Sequence, residues 1–404
     1  ESSSLSSPTN KVVKNFKTYL TITFLSILLT LYLFECYLTY NFTQPEVNKV
    51  KIKKIFEKEN NRKYDSRSKR EIFENLSLIN KNITVTVAPN KFNDSKKNIH
   101  FLSGISDSET IDCNENGYFS IYRSDRFGFN NPKDQWDSKN IDYILLGDSF
   151  AHGACVNRPY DITSQLRELS KSKALNLGYK ANGPLSILAT LKEYFPENVK
   201  NVVWLYFEGN DLTDLKLELN NVILKNYYLN ANYLQNLRFK QELIDKKNKE
   251  IIFKSIDLED SIIDQANRNS RVKNKILKFI RLNETKKMLT SKYSKDPKEN
   301  LPFEEFKQIL FLAKKFTESK NSTFHFVYLP QFERYKSKAS NNQYNLIKTM
   351  VNELNINFID IHNGVFLKES EPLQLFPFEM WGHYNEIGYK KTADYIYKSI
   401  NSWK

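Results

Sequence analysis

The chain has 404 residues, 40% hydrophobic and 14% aromatic, which suits a medium-sized domain with accessories and excludes global disorder. Its 11 Gly and 12 Pro exclude collagen-like character, and its 3 Cys neither build a disulfide-rich scaffold nor fit a zinc-finger spacing. The net charge of +13 is unevenly placed: the first hundred residues carry 17 Lys and Arg against 9 Asp and Glu. The plainest reading of that excess is a solvated, Lys/Asn/Ile-rich composition. No nucleic-acid recognition motif accompanies it, so nucleic acid is not an expected partner. Anionic lipid head groups or an acidic polymer suit such an arm.

Residues 1–17 read as a short basic tail containing Lys11, Lys14 and Lys17. Thr18 to Phe34 then runs for 17 residues without a charge. Residues 18–41 together exceed the roughly 20 mostly apolar residues that a membrane-spanning helix needs. Glu35 falls near one interface, where a charge costs little, and Tyr32, Tyr37 and Tyr40 sit where an aromatic belt belongs. FECYLTYNF offers no small-residue cleavage site, so an uncleaved signal anchor is predicted in preference to a buried helix or a removed leader. The three preceding lysines favour a cytoplasmic N-terminus. Lys49, Lys51, Lys53, Lys54 and Lys58 follow the span at greater distance and oppose them. The chemistry argued below favours an exported, periplasmic C-terminal domain, which makes the protein single-pass.

Residues 42–140 read as a helical stalk followed by a loop-rich segment packing on the core. EIFENLSLI has helical spacing, ITVTV (83–87) alternates like a strand, and 88–140 is rich in Gly, Asn, Asp and Pro around YFSIYRSDRFGFNNP. A different rhythm fills 141–404. Five short apolar runs, DYILLG, KALNLG, KNVVWLYFEG, STFHFVYLP and INFIDI, are separated by helix-like stretches such as PLSILATLKEYF and FEEFKQILFLAKKFTES. Strands alternating with helices predict an α/β fold: three layers around a mostly parallel, five-stranded sheet. Residues 212–300 break the rhythm with long charged helical patterns, predicting an inserted helical cap. In such sheets the site lies at the carboxyl ends of the strands.

The polar signals fall at those ends. The first strand runs into Gly147-Asp148-Ser149-Phe150-Ala151-His152-Gly153, where a serine at a tight turn can point its hydroxyl into a cleft; the bland alternative is a helix cap. Asn176-Leu177-Gly178 and Asn182-Gly183-Pro184 follow the second, Glu208-Gly209-Asn210-Asp211 the third, and Gly382-His383-Tyr384-Asn385-Glu386-Ile387-Gly388-Tyr389 precedes the last helix. In chain order these blocks resemble the SGNH (GDSL-type) hydrolase superfamily over about residues 140–400. With FGFNNP they look like the membrane-anchored SGNH proteins of bacterial envelope-polysaccharide pathways. The resemblance implies a flavodoxin-like layered fold, Ser149 as nucleophile, His383 as base, and Gly183 (Gly178 in reserve) and Asn210 as oxyanion donors. It implies no cofactor and no metal.

Two departures qualify the resemblance. Glu208 replaces the usual first glycine of the third block, and Met380 stands where the family often carries an aspartate three residues before the base. The third triad member is therefore Glu379, a group from elsewhere in the chain, or absent. His152, one turn past Ser149, is an alternative base; His362 is a weaker one, His325 reads as a packed strand residue and His100 as a loop residue. Cys36 reads as an inert residue of the span, whereas Cys113 and Cys155 are expected to form a disulfide beside the site if the domain is in an oxidising compartment. The expected activity is that of a serine esterase or O-acyltransferase on an acylated envelope glycan, with the membrane and a membrane acyl-donor protein as partners. A non-catalytic glycan-binding or assembly role, and a lipase or thioesterase, are the alternatives.

Overall fold

The computed structural model describes residues 8–42, 49–89, 99–270, 272–293, 301–336 and 342–402. The first residues of the predicted tail, stretches of the predicted stalk and loop segment (43–48 and 90–98), and the end of the predicted insertion (294–300) lie outside the described residues.

Helices α1 (Pro8–Phe42), α2 (Lys49–Asn60) and α3 (Lys69–Ile79) come first, followed by β1 (Ile83–Val85), β2 (Glu109–Ile111) and β3 (Ile121–Arg123). The next elements are β4 (Asn140–Leu146), α4 (Ser149–His152), α5 (Ile162–Ser170), β5 (Ala174–Asn176), α6 (Pro184–Tyr194), β6 (Asn198–Phe207) and α7 (Asp211–Glu218). Then come α8 (Gln241–Ser270), α9 (Val272–Ile280), α10 (Asn283–Tyr293), α11 (Phe303–Ser319), β7 (Thr323–Leu329), α12 (Asn342–Glu353), β8 (Asn357–Asp360) and α13 (Glu386–Ser402). The chain divides into two compact units, Asn48–Asp260 with Leu301–Lys404, and Glu1–Val47 with Ser261–Asn300.

The larger unit is built on an all-parallel five-stranded sheet in the order β5-β4-β6-β7-β8. Side chains alternate across a strand, so each strand serves two cores. Ile144, Leu146, Val202, Trp204, Tyr206 and Phe326 pack with Leu188 of α6, Ile309 of α11 and Ile347 of α12 on one face. Tyr143, Leu145, Val203, Leu205, Val327 and Leu329 pack with Ile162 and Leu166 of α5 and Ile396 of α13 on the other. Burial on both faces is why these strands read as unbroken apolar runs. The fold is thus a layered α/β arrangement, with the turns after β4, β5 and β6 gathered at one edge.

The segment read as loop-rich contributes a second sheet, β1-β2-β3, with β1 and β2 parallel and β2 and β3 antiparallel. The latter two strands, each three residues long, are hidden among the Gly, Asn, Asp and Ser residues around them. Ile72 of α3 and Ile252 and Ile256 of α8 cover this sheet. FGFNNP ties it to the main one: the Asn131 side chain accepts from the Asn176 N–H at 2.8 Å and donates to the Asn176 carbonyl at 2.8 Å. It therefore stands in for a neighbouring strand at the exposed edge of β5. The insertion read as a cap is partly core, since Leu212, Leu215, Leu224, Leu237 and Ile244 are buried against the sheet-facing helices.

In the smaller unit, α1 contains a stretch, Phe16–Tyr40, long and apolar enough to cross a membrane. It is packed by α9 and α10 near its C-terminal end.

Candidate active site

The Ser149 turn is set by close packing. A Cβ at Gly147 would lie 2.8 Å from the Ala151 Cβ and 2.9 Å from the Leu205 carbonyl oxygen, so only glycine lets β4 bend directly into α4. Asp148 caps the turn, accepting the Phe150 N–H at 2.9 Å. Ser149 follows, half-buried, at the first position of α4. Phe150 is stacked on Phe207 at 3.9 Å with the His383 ring 4.8 Å away, and so packs against the imidazole.

His383 arrives from the far end of the chain. Tyr384 is buried and donates its hydroxyl to the Pro330 carbonyl at 2.7 Å, while the Asn385 side chain accepts the Gly388 N–H at 2.9 Å and starts α13. These contacts present the imidazole over the Ser149 turn, with Nε2 2.9 Å from Ser149 Oγ. The other ring nitrogen, Nδ1, is 3.0 Å from Oε1 of Glu115, and the His383 backbone N–H donates to Oε2 of the same carboxylate at 2.6 Å. With Nδ1–H donating to Glu115, Nε2 is left as acceptor for the Ser149 hydroxyl. Serine, histidine and glutamate form the hydrogen-bonded chain of a Ser–His–acid triad.

Glu115 corrects the expectation of Glu379. The latter is exposed at the surface, in a turn at φ 56°, whereas Glu115 holds both the ring and the backbone of His383. Gly382 permits this: a Cβ there would fall 2.6 Å from Glu115 Oε2. The loop carrying Glu115 leaves β2 and returns at β3, and several bonds hold it to the turn. Cys113 and Cys155 are joined in a disulfide with Cα atoms 4.8 Å apart. The Asn116 amide donates to the Cys155 carbonyl at 2.9 Å, and the Tyr118 hydroxyl donates to Glu386 of α13 at 2.8 Å. Asp112, buried at the loop's start, accepts the Cys155 N–H at 3.2 Å.

Glu115 and His383 shift each other in opposite senses. Burial pulls the His383 imidazole down, but the Glu115 charge and hydrogen bond, with Asp148 and Asp112 nearby, outweigh it and hold its pKa above the usual histidine value. Burial pushes the Glu115 carboxyl up, and His383 more than offsets this, leaving it below the ordinary range. Asp148 is raised by burial despite the Phe150 N–H and His383. Asp211 is raised well above the carboxylate range by burial and by Asp148.

The expected oxyanion donors are engaged elsewhere. The Gly183 N–H donates to Oε1 of Glu218 at 2.8 Å, and the same buried carboxylate takes the Leu185 N–H and the Ser186 hydroxyl. Glu218 thus caps α6 and takes up the Gly183 N–H. The Gly178 N–H donates to the Asn176 side chain at 2.9 Å. Asn210 opens α7, and its amide donates to Asp214 at 2.7 Å and lies within reach of Asp148. Glu208, the departure in the third block, is buried and paired with the Arg334 guanidinium through both carboxylate oxygens. It serves the structure beneath the site.

The remaining histidines stand apart from Ser149. The His152 ring packs edge-on against Tyr122 at 4.9 Å and Tyr179 at 5.5 Å. His362 Nδ1 meets the Tyr335 hydroxyl at 2.7 Å, His325 Nε2 lies 3.1 Å from Asn201 Oδ1, and His100 Nδ1 lies 3.1 Å from the Asn221 amide. Among the described residues, metal-ligating side chains converge in one cluster, Cys113, Cys155 and His383. Both sulfurs there are joined to each other, and a thiolate is the form that binds metal.

No family model and no curated protein matches the chain. Solved structures similar to it include a putative lipolytic protein of the G-D-S-L family from Desulfitobacterium hafniense, at 14% identity and a TM-score of 0.33, covering 64% of this chain and 99% of that one. A lipase/acylhydrolase from Enterococcus faecalis matches at 9% identity and a TM-score of 0.36, covering 65% and 96%. An acetyl-xylooligosaccharide esterase from Geobacillus matches at 12% identity and a TM-score of 0.34, covering 65% and 96%. At such scores, what the chain does must follow from its own side chains.

Proposed function

We propose that the protein is a membrane-anchored, SGNH-type serine ester hydrolase or O-acyltransferase acting on an acylated envelope polysaccharide. The observation that carries this reading is the chain of contacts from Glu115 through His383 to Ser149. His383 Nε2 takes the hydroxyl proton as Ser149 Oγ bonds to the ester carbonyl carbon. The tetrahedral intermediate then collapses, and the departing alkoxide takes that proton back from His383. Water or a sugar hydroxyl, deprotonated in turn by His383, accepts the acyl group, and the departing Ser149 Oγ recovers that proton from His383. Glu115 stays ionised throughout and steadies the imidazolium. Glu208 and the missing aspartate before His383 were the grounds for a non-catalytic reading. Each now has a structural counterpart, in the Arg334 pair and in Glu115. The disulfide and the apolar helix suit an anchored domain in an oxidising compartment, in which a membrane acyl-donor protein is a fitting partner. A fluorophosphonate probe should label the wild-type chain at Ser149 and leave Ser149→Ala unlabelled. A folded wild-type protein that resists the probe rejects the enzyme in favour of a glycan-binding component.

Oxyanion stabilisation falls to the Ser149 N–H and the Asn210 amide, which exchanges Asp214 for the developing charge. Asn210→Ala should lower kcat for a nitrophenyl ester by roughly 10²–10³. An unchanged kcat would mean that the amide never leaves Asp214.

Trp381, two residues before His383 in the chain, is 68% exposed and so has an uncovered apolar ring. Sugar rings pack well on such faces. Trp381→Ala should raise KM for an acetylated oligosaccharide by roughly tenfold, in line with about 1.4 kcal/mol of lost ring contact, and leave nitrophenyl acetate unaffected. Equal effects on both substrates would remove the glycan argument.

A further inference from the structure

From Phe16 to Phe34 the side chains of α1 are almost all exposed, and cover begins at its C-terminal end. The Tyr32 ring lies 5.6 Å from the Phe279 ring of α9, and its hydroxyl donates to the Ile280 carbonyl at 3.1 Å. Glu35 is buried and accepts the backbone N–H groups of Glu284 and Thr285 in α10, at 2.9 and 2.8 Å, and the Thr285 hydroxyl at 2.7 Å. A carboxylate in an apolar helix is costly, and here it caps the first turn of α10, where the helix dipole favours a negative charge. The uncovered stretch spans roughly 28 Å at 1.5 Å per residue, close to the thickness of a bilayer's hydrocarbon core. If α1 crosses a membrane, α9 and α10 therefore meet it where the hydrocarbon ends.

The sequence of α9 fits that depth. Phe279 turns toward α1, while Ile276, Leu277 and Ile280 remain 53%, 37% and 54% exposed. At 100° per residue these apolar side chains share one arc, which Lys273 joins in the first turn, and Lys275, Lys278 and Arg281 fall on the opposite one. No acidic residue occurs between Val272 and Arg281. An uncovered apolar arc flanked by cations, fixed beside a helix of bilayer length, has the composition of a helix lying in a membrane interface.

We infer that α9 lies on the membrane surface, with Ile276, Leu277 and Ile280 in the boundary between head groups and acyl chains and its lysines and Arg281 on anionic lipid phosphates. This rests on the reading of α1 as a span and extends it: the protein is held at the bilayer by an interfacial helix as well as an anchor. The test uses the full chain in vesicles of phosphatidylcholine with phosphatidylglycerol. A tryptophan at Ile276→Trp should be quenched by lipids brominated near the head-group end of the acyl chain, above the background of the native protein. Replacing Lys273, Lys278 and Arg281 by Gln should reduce that quenching, each cation contributing roughly a fivefold factor to the local partition. A second reporter, Leu25→Trp, reads the span itself. If it is quenched while the Ile276 reporter is not, the interfacial helix is rejected and the anchor stands. If neither is quenched, both fall. Undiminished quenching in the Gln variant, or in pure phosphatidylcholine, overturns the assignment to anionic lipid.

Discussion

Glu115→Gln should lower kcat on a nitrophenyl ester by roughly 10³–10⁴, with little change in KM, because the amide can no longer both orient the imidazole and stabilise its charged form. The same change should move the pH profile, and the direction follows from His383. The base must be neutral to accept the Ser149 proton. Its pKa is held above the usual histidine value because Glu115, assisted by Asp148 and Asp112, outweighs burial. In the wild type, kcat/KM should therefore fall as pH drops through that raised value. Without the Glu115 charge, burial pulls the imidazole down, and the acidic limb should shift to lower pH. A variant that is merely distorted loses rate without that shift. Glu379→Ala, at an exposed turn, should behave as wild type. If Glu115→Gln stays within a few-fold of wild type, the carboxylate is a loop contact and His383 works as a dyad with Ser149.

Much of the architecture was legible because its physics is local. Strands buried on both faces announce themselves as apolar runs, and a strand entering a helix through Gly147-Asp148-Ser149 carries its own turn chemistry. His383 was legible for a similar reason: the residues after it, Asn385 and Gly388, are the start signals of a helix. The carboxylate that holds His383 had no such local mark. Glu115 lies 268 residues before the imidazole it holds, in an irregular loop where a carboxylate is ordinary. One signal was present. A bond between Cys113 and Cys155 ties the loop that carries Asp112 and Glu115 to the chain shortly after Ser149. The state of Gly183 was illegible for a complementary reason. Whether the Gly183 N–H is available depends on a carboxylate 35 residues later, Glu218, and no pattern around Gly183 reports that it is capped. Glu208 looked like damage to a motif until Arg334, 126 residues on, supplied its partner.

Loss of the Cys113–Cys155 bond should act on stability and on catalysis together, and the two can be separated. The bond closes a loop between residues 42 apart in sequence, for which chain-entropy reasoning gives about 4 kcal/mol. The Cys113→Ser/Cys155→Ser pair should lower the denaturant midpoint accordingly. Its catalytic effect comes from Glu115, two residues beyond Cys113. Released from the α4 side, the loop keeps the Asn116 and Tyr118 bonds but loses its covalent tether, and the carboxylate spends less time against His383. Under conditions where the serine pair is still folded, kcat should fall toward that of Glu115→Gln, and the acidic limb should shift in the same direction. Reduction of the wild type in the presence of EDTA should reproduce both effects; the chelator keeps the freed thiolates and His383, whose ligand atoms lie within 4.8 Å of one another, from collecting a metal. The decisive comparison is the triple variant. If the disulfide serves catalysis by placing Glu115, adding Glu115→Gln to the serine pair should cost far less than it costs the wild type, since both changes remove one interaction. A full further loss of roughly 10³ in the triple variant would mean that the loop stays in place without its tether, and that the bond contributes stability alone.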